Sequence, residues 1–151
     1  MQDKNNESMD DIEFDVLTEI GNIGAGNATT ALSQLINARI DMRVPKVELL
    51  TFAEVIGGAE TLVAGILLSL EGDIQGSMLF ILESNAARLL VQQLMGCKDD
   101  STEQFTEMET SALQEIGNII SGAYLSAISS LTNMLITASV PSLAFDMAGA
   151  I

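Results

Sequence analysis

The sequence predicts an α+β domain in which one unit, a long helix followed by strands, occurs twice with pseudo-twofold symmetry. Two observations lead to this fold class. The pentapeptide Glu-Ile-Gly-Asn-Ile at 19–23 returns at 115–119, an offset of 115 − 19 = 96 residues. Extended runs rich in valine, leucine, isoleucine and threonine follow the helical segments. A chain of 151 residues, 48% of them hydrophobic, suits one domain with a substantial core, which we place at 10–151.

The first copy of the unit is predicted at residues 10–96, after a polar, acidic tail at 1–9 that we expect to be disordered. A helix is predicted over 10–37, and Asp10 and Asp11 favour its start because carboxylates stabilise the positive end of the helix dipole. Small and apolar residues recur at helical spacing and predict a buried face. That face consists of Leu17, Ile20, Gly24, Ala31 and Leu35.

Three strands and a short helix are predicted to complete the first copy. The strands cover residues 46–56, 61–70 and 74–82. A Glu-Gly-Asp turn at 71–73 joins the last two strands into an antiparallel hairpin. The helix follows at 85–95, with Ser84 as the expected N-cap and Gly96 as the expected C-cap.

The second copy is predicted at residues 106–151, after a polar linker at 97–105. It begins with a helix over 107–133, and Pro141 lies within the extended run at 137–148 that follows. Proline favours a break in such a run because it has no backbone N–H to donate.

The two helices align without gaps at the 96-residue offset. Residues 15–36 and 111–132 share ten identities in 22 positions, where chance gives about one or two. Residue 151 corresponds to 151 − 96 = 55, so the later strands and the closing helix have no counterpart in the second copy. We expect a shortened chain, a naturally short second copy, or a partner that supplies the sheet edge, because uncovered edge strands promote aggregation.

Composition excludes several classes of function. The net charge is −15, from 21 acidic against six basic residues, so nucleic acid and anionic membranes are poor partners and a protein with a basic rim is a better one. The absence of histidine excludes triads of the Ser-His-Asp type and most catalytic zinc sites. We expect no membrane insertion, no internal disulfide for the single Cys97, and a cytoplasmic location.

Polar side chains form one stripe on each predicted long helix. At about 100° per residue, Asp15, Glu19 and Asn22 lie within about 60° of one another and face away from the predicted apolar side. The second copy repeats the spacing with Ser111, Glu115 and Asn118. A solvated helix face is the alternative interpretation, and the duplication itself explains part of the similarity. The return of asparagine, a poor residue for a helix interior, favours a functional site.

A glycine precedes each of these asparagines, at Gly21 and Gly117. Glycine inside a helix costs about 1 kcal/mol relative to alanine, so the fold or the function must require it. Two explanations stay open: close packing of the helix against its neighbours, or access for a partner to the adjacent asparagine.

The spacing Asp/Ser-x3-Glu-x2-Asn-x22-Pro resembles the signature of the CheC family of bacterial and archaeal chemotaxis phosphatases. In this chain it reads Asp15-x3-Glu19-x2-Asn22-x22-Pro45, and again Ser111-x3-Glu115-x2-Asn118-x22-Pro141. Two copies resemble the two-site CheC branch more than the one-site CheX branch. The resemblance implies a duplicated unit of helix and antiparallel sheet, with both site helices on the same side of one sheet.

The resemblance also implies the reaction and the roles of the residues. The family hydrolyses the aspartyl phosphate of phosphorylated CheY, which supplies its own Mg²⁺, so no cofactor of this chain is expected. Asn22 and Asn118 then orient the attacking water, and a carboxamide suits this because it both donates and accepts hydrogen bonds. Glu19 and Glu115 then pair with a lysine of CheY and anchor the docked substrate.

Further residues receive secondary roles from the resemblance. Asp15 and Ser111 are expected at the docking surface, and Pro45 and Pro141 are expected to shape the helix-to-strand connections. The family has a second partner, the receptor deamidase CheD, and Asp146 among small residues looks like a mimic of a deamidation site. The alternative is an ordinary aspartate at a strand end.

Two other functions stay open at this point. One is a non-enzymatic adaptor that regulates CheD and CheY by binding, and the other is a FliY-like phosphatase fragment of the flagellar switch. The sequence leaves open which of the two sites is active and how many chains associate.

Overall fold

The computed structural model describes residues 11–42, 47–51, 54, 62–96 and 104–147. Within those ranges the chain forms three helices and one four-stranded antiparallel sheet, which confirms the predicted α+β class. The helices are α1 (Asp11–Ile36), α2 (Ser84–Met95) and α3 (Glu107–Thr132). The strands are β1 (Leu62–Gly72), β2 (Gly76–Glu83), β3 (Ile136–Ala138) and β4 (Ser142–Met147).

The two long helices have matching boundaries. Each has 26 residues, and their first and last residues differ by 107 − 11 = 96 and 132 − 36 = 96. Each is followed by an asparagine with positive φ, Asn37 at 51° and Asn133 at 56°. Asparagine tolerates the left-handed conformation that ends a helix, which explains why both helices stop at this point. The boundaries agree with the offset in the sequence, while the duplication itself stays a prediction.

The N-terminus of α3 is held by a capping box. The Thr106 hydroxyl accepts from the Glu109 N–H at 3.2 Å, and the Glu109 carboxylate accepts from the Thr106 N–H at 2.7 Å. Glu109 is only 7% exposed, and it also lies 4.0 Å from the Arg88 guanidinium of α2. Arg88 in turn lies over the Phe105 ring, 4.5 Å from its centroid. The starts of α2 and α3 are therefore linked through one buried carboxylate.

β1 is the central strand of the sheet. β2 pairs with one edge of it, as in the predicted hairpin, and β3 and β4 share the other edge. The predicted extended run at 137–148 is thus two strands, because the strand conformation is interrupted between Ala138 and Ser142. Pro141 lies in this interruption and has no N–H for a ladder hydrogen bond.

The core lies between the sheet and the helices. It consists of Leu32, Ile36, Ala64, Ala87, Val91, Leu113 and Ile116. α3 lies directly on β1, since a Cβ added at Gly117 would be 2.7 Å from Cγ2 of Ile66. α1 packs along α3 at a similarly close approach, since a Cβ at Gly24 would be 2.5 Å from the Tyr124 ring. No helix in the described ranges has both the length and the apolarity to traverse a bilayer.

The predicted apolar face of α1 is wrong except at Gly24. The buried residues of this helix are Gly21, Gly24, Ala25, Ala28, Leu32 and Ile36. Leu17 and Leu35 are instead 40% and 39% exposed, and Ile20 and Ala31 are partly buried. Gly24 lies against Tyr124 of α3, and the buried side continues through Leu32 and Ile36, so the pattern of small and apolar residues placed the buried face at the wrong rotation about the helix axis.

Two local predictions also need correction. Ser84 is the first residue of α2 and not its N-cap; the cap is Glu83, which makes no side-chain capping bond. The reason is that β2 continues through Glu83, so the strand runs directly into the helix. Gly96 is the C-cap as predicted, with φ +66°.

The predicted strand at 46–56 is absent from the part of it that the structure describes. Residues 47–51 are not in a strand, and Glu54 is helical. Thr51 donates both its N–H and its hydroxyl to the Glu54 carboxylate at 2.7 Å. These hydrogen bonds lower the pKa of Glu54, and the bond from the Thr51 backbone N–H has the larger effect. The local capping pattern favours a turn at this point in place of an extended strand.

Candidate active site

The first predicted stripe lies on the first half of α1. Asp15 and Glu19 are exposed, and Asn22 is partly buried. Gly21, directly before Asn22, is buried on the side that contacts the rest of the domain. The structure therefore places the two carboxylates in solvent and the amide at the border between solvent and core.

The second predicted stripe lies on the first half of α3, and all three of its residues, Ser111, Glu115 and Asn118, are exposed. Gly117 contacts Ile66 of β1, and this contact fixes the rotation of the helix about its axis. Successive residues of a helix are about 100° apart around its axis, so the Asn118 side chain lies away from the side that faces the sheet. At Gly117 the contact supports the packing explanation for the glycine.

Ser121 was missed by the sequence reasoning. It is 2% exposed, and its hydroxyl donates to the Gly117 carbonyl at 2.7 Å and lies 3.2 Å from that of Asn118. The hydroxyl thus links the turn that carries Asn118 to the next turn. The corresponding residue of the first copy is Ala25, because 121 − 96 = 25, so the two stripes differ at this point.

A groove of about 380 Å³ opens beside Asn118. One wall is α3 and the other is β3 with the residue after it. The lining residues are Asn118, Ser121, Gly122, Leu125, Ser126, Ser129, Ile136, Ala138 and Ser139. None of these is charged, although the chain carries 21 acidic residues. The groove gives Asn118 an uncharged surface against which a partner can be placed.

Pro141 approaches the second stripe from the sheet. It is buried, and its carbonyl accepts from the Gln114 side-chain amide at 3.4 Å. Gln114 directly precedes Glu115 on α3. The corresponding residue of the first copy, Thr18, donates to the Phe14 carbonyl of its own helix at 2.9 Å. The corresponding proline, Pro45, lies outside the described residues.

Asp146 lies far from the groove. It is exposed on β4 and pairs with Val63, whereas β3 pairs with β1 at residues 70–72. The separation along β1 is 70 − 63 = 7 residues, or roughly 20 Å. Asp146 helps to line a different cavity, of about 540 Å³, in which the rings of Phe105 and Phe145 stack with centroids 4.6 Å apart.

Tyr124 is a titratable residue at the contact between α1 and α3. Its ring packs over Gly24, and burial raises its pKa above the ordinary value of 10.0. The phenol therefore stays neutral at neutral pH. Its contribution here is packing between α1 and α3.

Sequence comparison gives two family matches. The CheC-like family matches residues 12–49, and the chemotaxis phosphatase CheX family matches residues 64–151. The CheY-P phosphatase CheC of Bacillus subtilis (strain 168) is 44% identical to this chain over 144 residues. That alignment covers 92% of this chain and 69% of the relative.

Solved structures share the fold. FliY of Thermotoga maritima superposes with a TM-score of 0.83 at 22% identity, over 93% of this chain and 72% of FliY. A chain of the CheX–CheY–BeF3–Mg²⁺ complex from Borrelia burgdorferi superposes with a TM-score of 0.57 at 20% identity, over 83% of this chain and 74% of that chain.

Proposed function

This chain belongs to the CheC and CheX family of chemotaxis phosphatases, and we propose that it hydrolyses the aspartyl phosphate of CheY through Asn22 and Asn118. The observation that carries the proposal is the geometry shared by the two long helices. Each helix presents a glutamate to solvent. An asparagine follows three residues after that glutamate, and the glycine directly before the asparagine is buried.

The proposed chemistry is the placement of a water molecule. An aspartyl phosphate is already reactive, so the enzyme mainly has to align a nucleophile with the phosphorus atom. A carboxamide accepts a hydrogen bond from water and donates one, and it does not repel the phosphoryl oxygens as a carboxylate would. Asn118 meets the steric requirement, because it is exposed at the mouth of an uncharged groove.

Glu19 and Glu115 are proposed to anchor the substrate. Each precedes its asparagine by three residues, so it lies on the same helix face and one turn earlier. An exposed carboxylate at this position suits a charge-assisted hydrogen bond with a lysine of the docked CheY. The net charge of −15 would also accelerate the encounter with a basic surface.

The remaining predicted residues stay in supporting roles. Asp15 and Ser111, a turn before the glutamates, are proposed to contact the docked substrate. Pro141 is proposed to hold the helix-to-strand connection, a role that its hydrogen bond with Gln114 supports, and Pro45 is assigned the same role by its spacing alone. We further propose that the reaction needs no cofactor from this chain, because Mg²⁺ arrives with the substrate.

Asp146 is proposed as a contact for CheD. It is exposed on β4, roughly 20 Å along the sheet from the residues that wall the Asn118 groove. The proposal requires only that a partner reach this end of the strand. Charge reversal by Asp146→Lys should abolish co-elution with CheD and leave phosphate release unchanged. Retained co-elution would remove Asp146 from the interface.

The experiment that tests the hydrolytic role is phosphate release from phosphorylated CheY. Asn22→Ala and Asn118→Ala should each reduce the rate, and the double variant should lose about a hundredfold or more of the acceleration. Asn27→Ala is the matched control, because Asn27 is an exposed asparagine elsewhere on α1. If the double variant retains full activity, the water-orienting role is wrong. An unchanged CheY-phosphate lifetime with the unaltered protein, together with binding, would favour the adaptor function instead.

A further inference from the structure

We propose that Asp73, in the turn between β1 and β2, is a positioning residue for the Asn118 site. This inference rests on the proposed function, and it adds that a side chain from the first half of the chain sets the geometry of the site in the second half. Asp73 lies outside both polar stripes and does not line the groove.

Asp73 and Leu135 are joined by two reciprocal hydrogen bonds. The Asp73 N–H donates to the Leu135 carbonyl at 2.9 Å, and the Leu135 N–H donates to the Asp73 carboxylate at 2.8 Å. Leu135 belongs to the connection between α3 and β3, 62 residues further along the chain. The β1–β2 turn is therefore bound to this connection by one backbone and one side-chain hydrogen bond.

The preceding residue makes this approach possible. Gly72 has φ +116°, a conformation that side chains rarely adopt, and a Cβ there would collide with the Leu135 carbonyl oxygen. The backbone of the turn is thus in direct contact with the backbone of the connection. The contact leaves no room for another side chain, so small displacements of either segment are transmitted to the other.

The connection between α3 and β3 that contains Leu135 leads directly into the wall of the groove. Ile136 follows Leu135, and Ile136, Ala138 and Ser139 form the side of the groove opposite Asn118. The far end of this wall is held separately, because Ser139 donates its N–H to the Ser69 carbonyl and its hydroxyl accepts from the Ser69 N–H, both at 2.9 Å. Between these ends β3 pairs with β1 at residues 70–72, and the Asp73 carboxylate adds a side-chain hydrogen bond at the near end, beyond the last paired residue, Ile136.

Removal of the Asp73 carboxylate should therefore loosen one wall while the asparagine stays in place. The Leu135 N–H would turn to water, and the start of β3 would gain freedom relative to α3. A more mobile wall should weaken binding of the docked substrate more than it slows hydrolysis at Asn118. The effect should be a rise in KM with a smaller change in kcat.

The test uses variants in which one site is left active. With Asn22→Ala only the Asn118 site remains, and Asp73→Ala should lower its kcat/KM about two- to tenfold, the range that loss of one hydrogen bond gives. Asp73→Asn should restore the rate to within about twofold, because its side-chain oxygen still accepts from Leu135. Gln75→Ala, an exposed residue of the same turn, is the control and should change nothing.

The reciprocal background separates positioning from general destabilisation. With Asn118→Ala only the Asn22 site remains, and Asp73→Ala should leave its kcat/KM unchanged. Equal losses in both backgrounds, or no loss with Asn22→Ala, would overturn the inference. A failure of the proposed function appears differently, since the Asn22→Ala, Asn118→Ala double variant would then keep its activity before Asp73 is altered.

Discussion

Replacement of Gly117 by alanine would place a methyl group against Ile66, which is fully buried in the core. The new Cβ would be 2.7 Å from Cγ2 of Ile66, whereas carbon atoms in contact are normally about 3.5 Å apart or more. The Ile66 side chain, the helix or the strand must then shift until this distance has grown by about 3.5 − 2.7 = 0.8 Å. Overpacking of this kind costs about 1–3 kcal/mol, and the better helix propensity of alanine offsets about 1 kcal/mol of it. The expected net loss of stability is about 0–2 kcal/mol.

Gly26→Ala is the matched control for this substitution. Gly26 is an exposed helical glycine with nothing within 4 Å of its added Cβ, so alanine should stabilise the protein by about 1 kcal/mol. Urea unfolding of both variants measures the difference, which should be about 1–3 kcal/mol. In the Asn22→Ala background, Gly117→Ala should also reduce phosphate release about tenfold, because Asn118 moves with the helix. Equal stabilisation by Gly117→Ala and Gly26→Ala would refute the close approach of α3 to β1.

Two further predictions follow from the buried carboxylate at α3 and from the phenol between the helices. Glu109→Ala removes half of the capping box with Thr106 and leaves Arg88 without that carboxylate, so thermal unfolding should show a loss of stability of about 1–3 kcal/mol. The control is Glu107→Ala, an exposed residue of the same turn, which should cost about a few tenths of a kcal/mol. Equal losses in the two variants would contradict the role of Glu109. Burial raises the pKa of Tyr124, so its contribution to stability is present below about pH 10 and is lost as the pH rises towards its folded-state pKa. Urea unfolding at pH 9 and pH 11 should show this loss and Tyr124→Phe should reduce it, whereas an equal loss in the variant would assign the effect to other groups.

The sequence was sufficient for the features that depend on local periodicity and end signals. The long helices end within one residue of the predicted positions because Asn37 and Asn133 take the left-handed conformation at the same place in each copy. The outward direction of Glu115 and Asn118 also followed from spacing alone.

Features that depend on tertiary contacts were beyond the sequence. The buried side of α1 has glycine and alanine residues before Leu32 and Ile36, and Tyr124 of α3 packs onto Gly24. A hydrophobicity pattern cannot anticipate that close contact. The groove beside Asn118 was missed for a related reason. Its second wall comes from β3, which pairs with β1, and β1 lies more than 60 residues earlier in the chain.

The pairing of β1 has a consequence for how the chain folds. β1 comes from the first half, yet one of its edges is completed by strands from the second half, with Val63 opposite Asp146 across 146 − 63 = 83 residues. Pairing at such separation must close a long loop before it yields stabilising contacts, which slows folding. The two halves therefore cannot behave as independent folding modules, since among the strands that the structure describes β3 and β4 both pair with β1 from the first half. Global unfolding should remove both polar stripes in one cooperative transition, with no state in which one half stays native.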